Sequence, residues 1–177
     1  MRIAVLGALM VATPVFAAGV TSRAPELAAL NVQSGHWVYH GTTAPTKSGG
    51  KPGLFTWNEH CLWSADQLFL LCTFHNVWSG HKVQSLVVDT WNTHDRTYWH
   101  YEMFATGAPG RKPYATKMTI HGNTWVESAT THKQGQDRYE RIRYVYRSPT
   151  RVAVTIATSA DRKHWSTLVS GTGRKIP

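Results

Sequence analysis

Residues 54–76, LFTWNEHCLWSADQLFLLCTFHN, contain both cysteines of the chain, Cys61 and Cys72. Two runs of apolar and aromatic residues flank a short polar segment, a pattern typical of two β-strands joined by a turn, here at residues 65–67. If the cysteines lie opposite each other, alternation along each strand sets the remaining pairs on their face. These pairs are Trp63 with Leu70, Trp57 with Asn76, and Glu59 with Phe74.

The face that carries the cysteines is the predicted interior, because burying its large apolar side chains together removes them from water. Those side chains are Phe55, Trp57, Trp63, Leu68, Leu70 and Phe74. The opposite face carries Asn58, His60 and His75, and the same register places the two imidazoles near the amide. Histidines on a solvent-exposed face are ordinary, so we expect no metal there.

Later segments repeat the pattern of residues 54–76. Runs rich in Val, Ile, Thr and aromatic residues alternate with short turn signals, and only residues 25–30 indicate a helix. We predict an all-β fold, a single antiparallel meander of about ten strands, with one short N-terminal helix. Closing the meander into a barrel removes its exposed edges, whereas a two-sheet sandwich needs longer crossovers. The predicted strands span 35–40, 54–64, 68–77, 82–91, 96–105, 114–121, 124–132, 138–147, 151–159 and 165–170.

The N-terminal residues have the layout of a secretory signal: Arg2, then an apolar run over residues 3–12, then small residues before Ala18. We predict a signal peptide over residues 1–17, cleaved after Ala17, and a periplasmic or secreted product. A lead-in with the short helix follows over residues 18–34, and the barrel domain spans residues 35–177. Two cysteines in an exported chain favour a Cys61–Cys72 disulfide.

The sequence carries a formal net charge of +9. Export makes nucleic acid an improbable partner, while weak association with anionic envelope surfaces and plain solubility both remain open. No stretch after the signal is long and apolar enough for a transmembrane helix.

Eight tryptophans and seven tyrosines are many for a chain of 177 residues. Flat amphipathic side chains suit a cavity for a small apolar or amphipathic molecule, although they could equally fill the barrel and leave no cavity. We expect binding without a cofactor, metal or catalytic residue. The predicted ligand-binding residues are Trp37, Trp57, Trp63, Phe74, Tyr144 and Tyr146.

An enzyme of the lyase or isomerase type is the alternative, with a carboxylate buried in the barrel acting as acid or base. Glu59, Glu102 and Glu127 are the acidic residues in the middle of strands, and Glu102 lies near His100. Surface exposure or pairing with a basic residue is the plainer explanation of such carboxylates. The alternative polar site comprises His60, His75, His100 and Glu102.

The short helix that leads into Gly35-x-Trp37 resembles the start of the lipocalin and calycin barrels. This resemblance implies that Trp37 packs against a basic residue near the barrel end, with Arg174 as the candidate. A wider similarity is to an uncharacterised bacterial family, the domain of unknown function numbered fifteen seventy-nine. It covers Gly35-x-Trp37, Cys61-Leu62-Trp63, the stretch SADRKHW at 159–165 and the final GTGRK, with Arg162 where that family often has glycine. It implies no catalytic residues.

Overall fold

The structure is a computed structural model that describes residues 23–45, 51–78, 81–105, 112–133 and 136–177. The predicted signal peptide and its cleavage site lie outside the described residues.

Ten antiparallel strands form one closed barrel, in which neighbours in sequence pair with each other and the first strand pairs with the last. The predicted all-β barrel with one short N-terminal helix is therefore confirmed, and the sandwich is wrong. The elements are a 3-10 helix at Pro25–Val32 and strands β1 Gly35–Thr43, β2 Gly53–Trp63, β3 Leu70–Trp78, β4 His81–Asn92, β5 Thr97–Phe104, β6 Tyr114–His121, β7 Thr124–Lys133, β8 Gln136–Ser148, β9 Arg151–Ser159 and β10 Ser166–Ile176.

The β2–β3 hairpin has the predicted register. Cys61 lies opposite Cys72, their sulfurs form a disulfide, and the predicted pairs on the same face are all present. The cross-link closes a short loop of the unfolded chain, which contributes about 2–3 kcal/mol of stability in the chain-entropy view.

The turn of this hairpin is longer than predicted. β2 ends at Trp63 and β3 begins only at Leu70. The Asp66 carboxylate accepts hydrogen bonds from the Ser64 hydroxyl at 2.5 Å and from the Leu68 N–H at 3.1 Å. These local bonds hold Leu68 in the loop, outside the strand that its apolar side chain suggested.

The N-terminal 3-10 helix closes one end of the barrel, which we call the capped end. Leu27 and Leu30 are buried in the core, and the Tyr98 hydroxyl donates a 2.7 Å hydrogen bond to the Glu26 carbonyl. The Trp37 indole donates to the Gln33 carbonyl at 2.8 Å. The opposite end, where β1, β3, β5, β7 and β9 finish, is called the far end. No helix among the described residues is both long and apolar enough to cross a bilayer.

β10 ends six residues later than the predicted strand, at Ile176. Glycine is a poor strand former, so the Gly-Thr-Gly segment suggested a stop at residue 170. In the structure, aromatic rings from β1 and β2 occupy the space that side chains at these glycines would need. A Cβ atom at Gly171 would lie 2.5 Å from the Phe55 ring, and one at Gly173 would lie 2.5 Å from the Tyr39 ring.

The connection between β9 and β10 contains Arg162, at the position where the resembled family often has glycine. Arg162 adopts φ = 62°, the left-handed conformation that glycine favours. The Asp161 carboxylate accepts hydrogen bonds from the N–H groups of Lys163 and His164, each at 2.8 Å. The Arg162 guanidinium lies 4.1 Å from the centre of the Tyr139 ring. These contacts stabilise the six-residue connection 160–165, in which a residue other than glycine takes the left-handed conformation.

Replacing Gly41 with alanine should destabilise the barrel by about 3 kcal/mol, because the chain cannot shift away from the new atom without moving a paired strand. A Cβ atom at this position would lie 2.2 Å from the Ser170 carbonyl oxygen and 2.4 Å from the Phe55 ring. Urea unfolding measures the change. Thr172→Ala, at an exposed position of β10, is the control and should change stability by less than about 1 kcal/mol. Equal stability of Gly41→Ala and Thr172→Ala would contradict this packing.

Candidate functional site

The barrel interior holds charged side chains as well as aromatic ones. Four alternate residues of β5 face inward, namely Tyr98, His100, Glu102 and Phe104. Five of the ten acidic residues in the chain occupy inward-facing positions. They are Glu59, Asp89, Glu102, Glu127 and Glu140. Buried carboxylates are costly and rarely kept for stability alone, so they mark the candidate site.

His100 lies between two of these carboxylates. Its Nδ1 donates a 2.8 Å hydrogen bond to Asp89 Oδ1, and its Nε2 lies 3.7 Å from Glu127 Oε2. All three side chains are at least nine-tenths buried. The strand register makes this arrangement possible, since Asp89 on β4 pairs directly with His100 and β6 separates His100 from Glu127 on β7.

The electrostatics of this group are those of a buried ion network. Burial alone would lower the pKa of His100, but the Glu127 and Asp89 carboxylates outweigh it and raise the pKa to about 10. Burial raises the pKa of Glu127 to about 7, while the positive charge of His100 acts in the opposite direction. The imidazole is therefore protonated at neutral pH, and Glu127 is close to its midpoint.

Glu59 forms a second buried group, closer to the capped end. Its Oε1 accepts a 2.5 Å hydrogen bond from Gln33 Nε2. Burial raises the pKa of Glu59 to about 7, although Gln33 and the Tyr39 hydroxyl act in the opposite direction. Because Gln33 follows the 3-10 helix directly, Glu59 ties the helix to the barrel wall.

The third polar group lies toward the far end. The Tyr114 hydroxyl donates a short hydrogen bond to Glu102 Oε2, and both side chains are partly exposed. Beside them is a recess with a volume of about 10 Å³, room for one water molecule. Its lining residues are Tyr114, Thr116, Glu127, Ala129, Glu140 and Ile142.

A wider and more open depression of about 340 Å³ lies at the far end of β3, β4 and β5. Its lining combines inward-facing Phe74, Ser85 and Phe104 with residues on the outer face of the same strands, namely Thr73, His75, Gln84, Leu86 and Met103, and with Ala105, which follows β5. The rings of Phe104 and Tyr114 lie 5.9 Å apart between centroids. This ring contact makes the depression and the acidic recess neighbours.

The six aromatic residues predicted to bind ligand are spread over the barrel. Trp37, Trp57 and Tyr146 are buried in the core, with the Trp37 and Tyr146 ring centroids 5.8 Å apart. Trp63 lies at the capped end, where the Arg23 guanidinium stacks 4.1 Å from its ring centre. Tyr144 faces inward on β8 and Phe74 lines the far-end depression.

The alternative polar site is divided between two faces. His100 and Glu102 face inward, whereas His60 and His75 are exposed on the outer surface. The register places Asn58 opposite His75 and His60 diagonal to it, as predicted. His60 contacts His36, with ring centroids 5.9 Å apart, and His75 Nδ1 lies 3.1 Å from Gln84 Nε2.

The basic residue that packs on Trp37 is Lys175. Its Nζ lies 5.2 Å from the ring centre, whereas the side chain of Arg174 is exposed. The expectation of Arg174 was therefore off by one residue. Trp37 pairs directly with Lys175, and alternation turns Arg174 to the outside.

Sequence reasoning did not identify Asp89 or Glu140 as parts of the site. Asp89 lies two residues after Val87 on the same face of a predicted strand, a pattern that could have placed it inside the barrel. Glu140 likewise shares its face with Tyr144 and Tyr146, two of the predicted ligand-binding residues.

One group of three potential metal ligands occurs among the described residues, namely Glu59, Cys61 and Cys72. Its ligand atoms lie within 4.8 Å of one another, and Glu59 Oε1 is 2.9 Å from Cys61 Sγ. Both sulfurs belong to the disulfide, so neither is a thiolate that could bind a metal.

Comparison with known proteins supports the fold alone. No protein-family model matches the sequence, and no curated protein matches it. The crystal structure of Rv2717c from M. tuberculosis is similar, with a TM-score of 0.56 at 12% sequence identity. The match covers 88% of this chain and 99% of that one.

The buried acids should make the protein less stable as the pH rises from 4.5 to 7. In this range the folded state keeps protons on Glu59 and Glu127 that the unfolded chain releases, because their pKa values rise from 4.5 to about 7 on folding. The stabilisation that these two carboxyl groups give to the folded state is complete below pH 4.5 and is lost as the pH rises through 7. In the wild type the free energy of unfolding falls between pH 5 and pH 7.5. Urea unfolding should show that this fall is smaller in Glu127→Gln, by on the order of 2 kcal/mol.

Asp95→Asn is the control for this measurement, because Asp95 is exposed and lies in the turn between β4 and β5. It should retain the pH dependence of the wild type. An unchanged slope in Glu127→Gln would contradict the raised pKa of Glu127.

Proposed function

We propose that this protein is a binding protein that holds a small amphipathic molecule at the far end of the barrel, without converting it. The observation that carries the proposal is the 340 Å³ depression beside the acidic recess, because an apolar surface next to a few buried polar groups is typical of small-molecule sites. The volume falls within the range of known ligand pockets, about 300–1,000 Å³.

The apolar part of the ligand would lie against Phe74 and Phe104, with Leu86 and Met103 at the outer margin. Ser85 Oγ is buried in the same wall and has no hydrogen-bond partner. A buried hydroxyl without a partner costs free energy, so a ligand that bonds to it would gain affinity.

In this proposal the predicted aromatic residues have different roles. Phe74 contacts the ligand, and Tyr144 forms part of the inner wall. Trp57 packs at the middle of β2, and Trp37 and Tyr146 fill the barrel toward the capped end, where Trp63 and the 3-10 helix close it. The ligand therefore enters from the far end.

Catalysis of a lyase or isomerase reaction is the second candidate, favoured by the buried contact between His100 and Glu127. The charge network argues against it, since an imidazolium held by two carboxylates is a poor base. Deuterium incorporation from D₂O into carbon-bound positions of a co-purified ligand, lost in Glu102→Gln, would favour the enzyme.

Association with anionic envelope surfaces is a third candidate. Half of the acidic residues face inward, so the outer surface is more basic than the net charge suggests. Binding to such a surface would disappear at high salt, whereas binding of an amphipathic molecule in the far-end depression would not.

We also propose that the chain is exported and cleaved after Ala17, as the N-terminal sequence indicates. The disulfide is compatible with an oxidising compartment. Intact mass spectrometry of the protein from its own host should find a mature chain that begins at Ala18, in the periplasmic or culture fraction. A cytoplasmic protein that retains residues 1–17 would contradict export.

The neutral amphipathic probe N-phenyl-1-naphthylamine tests the binding proposal. Its fluorescence should rise saturably with the wild-type protein, because the probe leaves water for the aromatic depression. Phe104→Ala should weaken this binding by about fivefold or more through lost apolar contact. Fluorescence titration measures both dissociation constants.

Leu62→Ala is the matched control. Leu62 is 56% exposed on the outer surface of β2 near the capped end, away from the depression. The variant should bind the probe like the wild type. No saturable binding, or a loss in Leu62→Ala with none in Phe104→Ala, would overturn the proposed site.

A further inference from the structure

The acidic recess contains a hydrogen-bonding group that the protein itself does not satisfy. Thr116 is 5% exposed, its Oγ1 has no hydrogen-bond partner, and it lines the recess beside Glu127 and Glu140. A buried hydroxyl in this position can accept a hydrogen bond from a group placed in the recess.

The charge around the recess selects the kind of group that fits. Two carboxylates, Glu127 and Glu140, line it, and Glu102 is bonded to the lining residue Tyr114. The nearby imidazolium of His100 is already shared between Asp89 and Glu127. An anion would therefore meet like charges at close range, whereas a cation would be attracted.

The size of the recess limits which cationic groups can bind in it. A volume of about 10 Å³ accommodates one water-sized group. A primary ammonium head is of this size, and its N–H groups can donate hydrogen bonds to Thr116 Oγ1 and to the Glu127 carboxylate. A divalent cation fits the recess less well, because no group of three potential metal ligands surrounds it in the part of the chain that the structure describes.

We propose that the recess binds the ammonium head of a primary amine, with the apolar part of the amine directed past Tyr114 and Phe104 into the depression. This inference rests on the proposed function, because it identifies the chemical class of the ligand for the same far-end site. The contact between the Phe104 and Tyr114 rings brings the two parts of the site together.

Binding is coupled to a proton on Glu127. The pKa of this carboxyl is raised to about 7 in the free protein, chiefly by burial. An ammonium group in the recess favours the ionised carboxylate and displaces its proton. Affinity should therefore be higher at pH 8 than at pH 5.5, although the alkylamine is protonated at both.

The test compares n-hexylamine, 1-hexanol and hexanoate by isothermal titration calorimetry at pH 8. These probes share a six-carbon chain and differ in the charge of the head. The wild-type protein should bind hexylamine at least tenfold more tightly than hexanol, and hexanoate should not bind measurably. Hexylamine affinity should fall about tenfold in Glu127→Gln and about fivefold in Thr116→Val, which keeps the shape of the side chain and removes its oxygen.

Glu26→Gln is the control variant, because Glu26 is an exposed acid in the 3-10 helix and should not affect binding. Circular dichroism melts establish that each variant is folded. Thr116→Val keeps the test decisive if Glu127→Gln does not fold.

The outcomes separate this inference from the proposed function. Equal binding of hexanol and hexylamine, unaffected by the recess variants, would overturn the ammonium site and leave the amphipathic site in place. Binding of neither hexylamine nor the naphthylamine probe would overturn both. Zinc or magnesium chloride that stabilises the protein through Glu127, with no effect of hexylamine, would instead identify a metal site and overturn the inference.

Discussion

The ion network of His100 with Asp89 and Glu127 is the constraint on which the barrel interior depends. Each of these charges would be expensive to bury alone, at several kcal/mol, so the network forms only when all three strands keep their register. β4, β5 and β7 are therefore aligned by charge as well as by apolar packing. A slip of one residue would turn His100 outward and leave two carboxylates buried without their partner.

Packing and polar chemistry are separated along the barrel axis. Toward the capped end, Trp37 and Tyr146 pack against each other and Gln33 donates a hydrogen bond to Glu59, so this half supports the fold. Toward the far end, the partly exposed Glu102 and Tyr114 border open space. Ligand chemistry can therefore vary at one end of the barrel without loss of the core at the other.

The fold was predictable because alternation and turn signals act locally. The Cys61–Cys72 register followed from counting residues on two strands, and it then placed Glu59 inside correctly. Contacts between distant strands could not be read in this way. The extension of β10 depends on the Phe55 and Tyr39 rings that cover its glycines. The sequence of β10 itself does not predict these contacts.

The candidate site was only partly predictable for the same reason. Glu102 and His100 were recognised as a possible pair, but their actual partners, Tyr114 and Asp89, come from neighbouring strands. Proximity on one strand did not identify them. His60 and His75 keep the predicted diagonal relation, but the contacts of each ring come from the neighbouring strands, from His36 on β1 and from Gln84 on β4.

The inward placement of half the acidic residues also affects how the molecule behaves as a charged particle. Opposite charges that usually neutralise one another on a protein surface are here divided between inside and outside. A positively charged guest would meet repulsion from the exterior before it reached the attractive interior, which slows its approach while leaving its residence time long. Added electrolyte would then accelerate capture more than it weakens retention, the reverse of ordinary electrostatic steering.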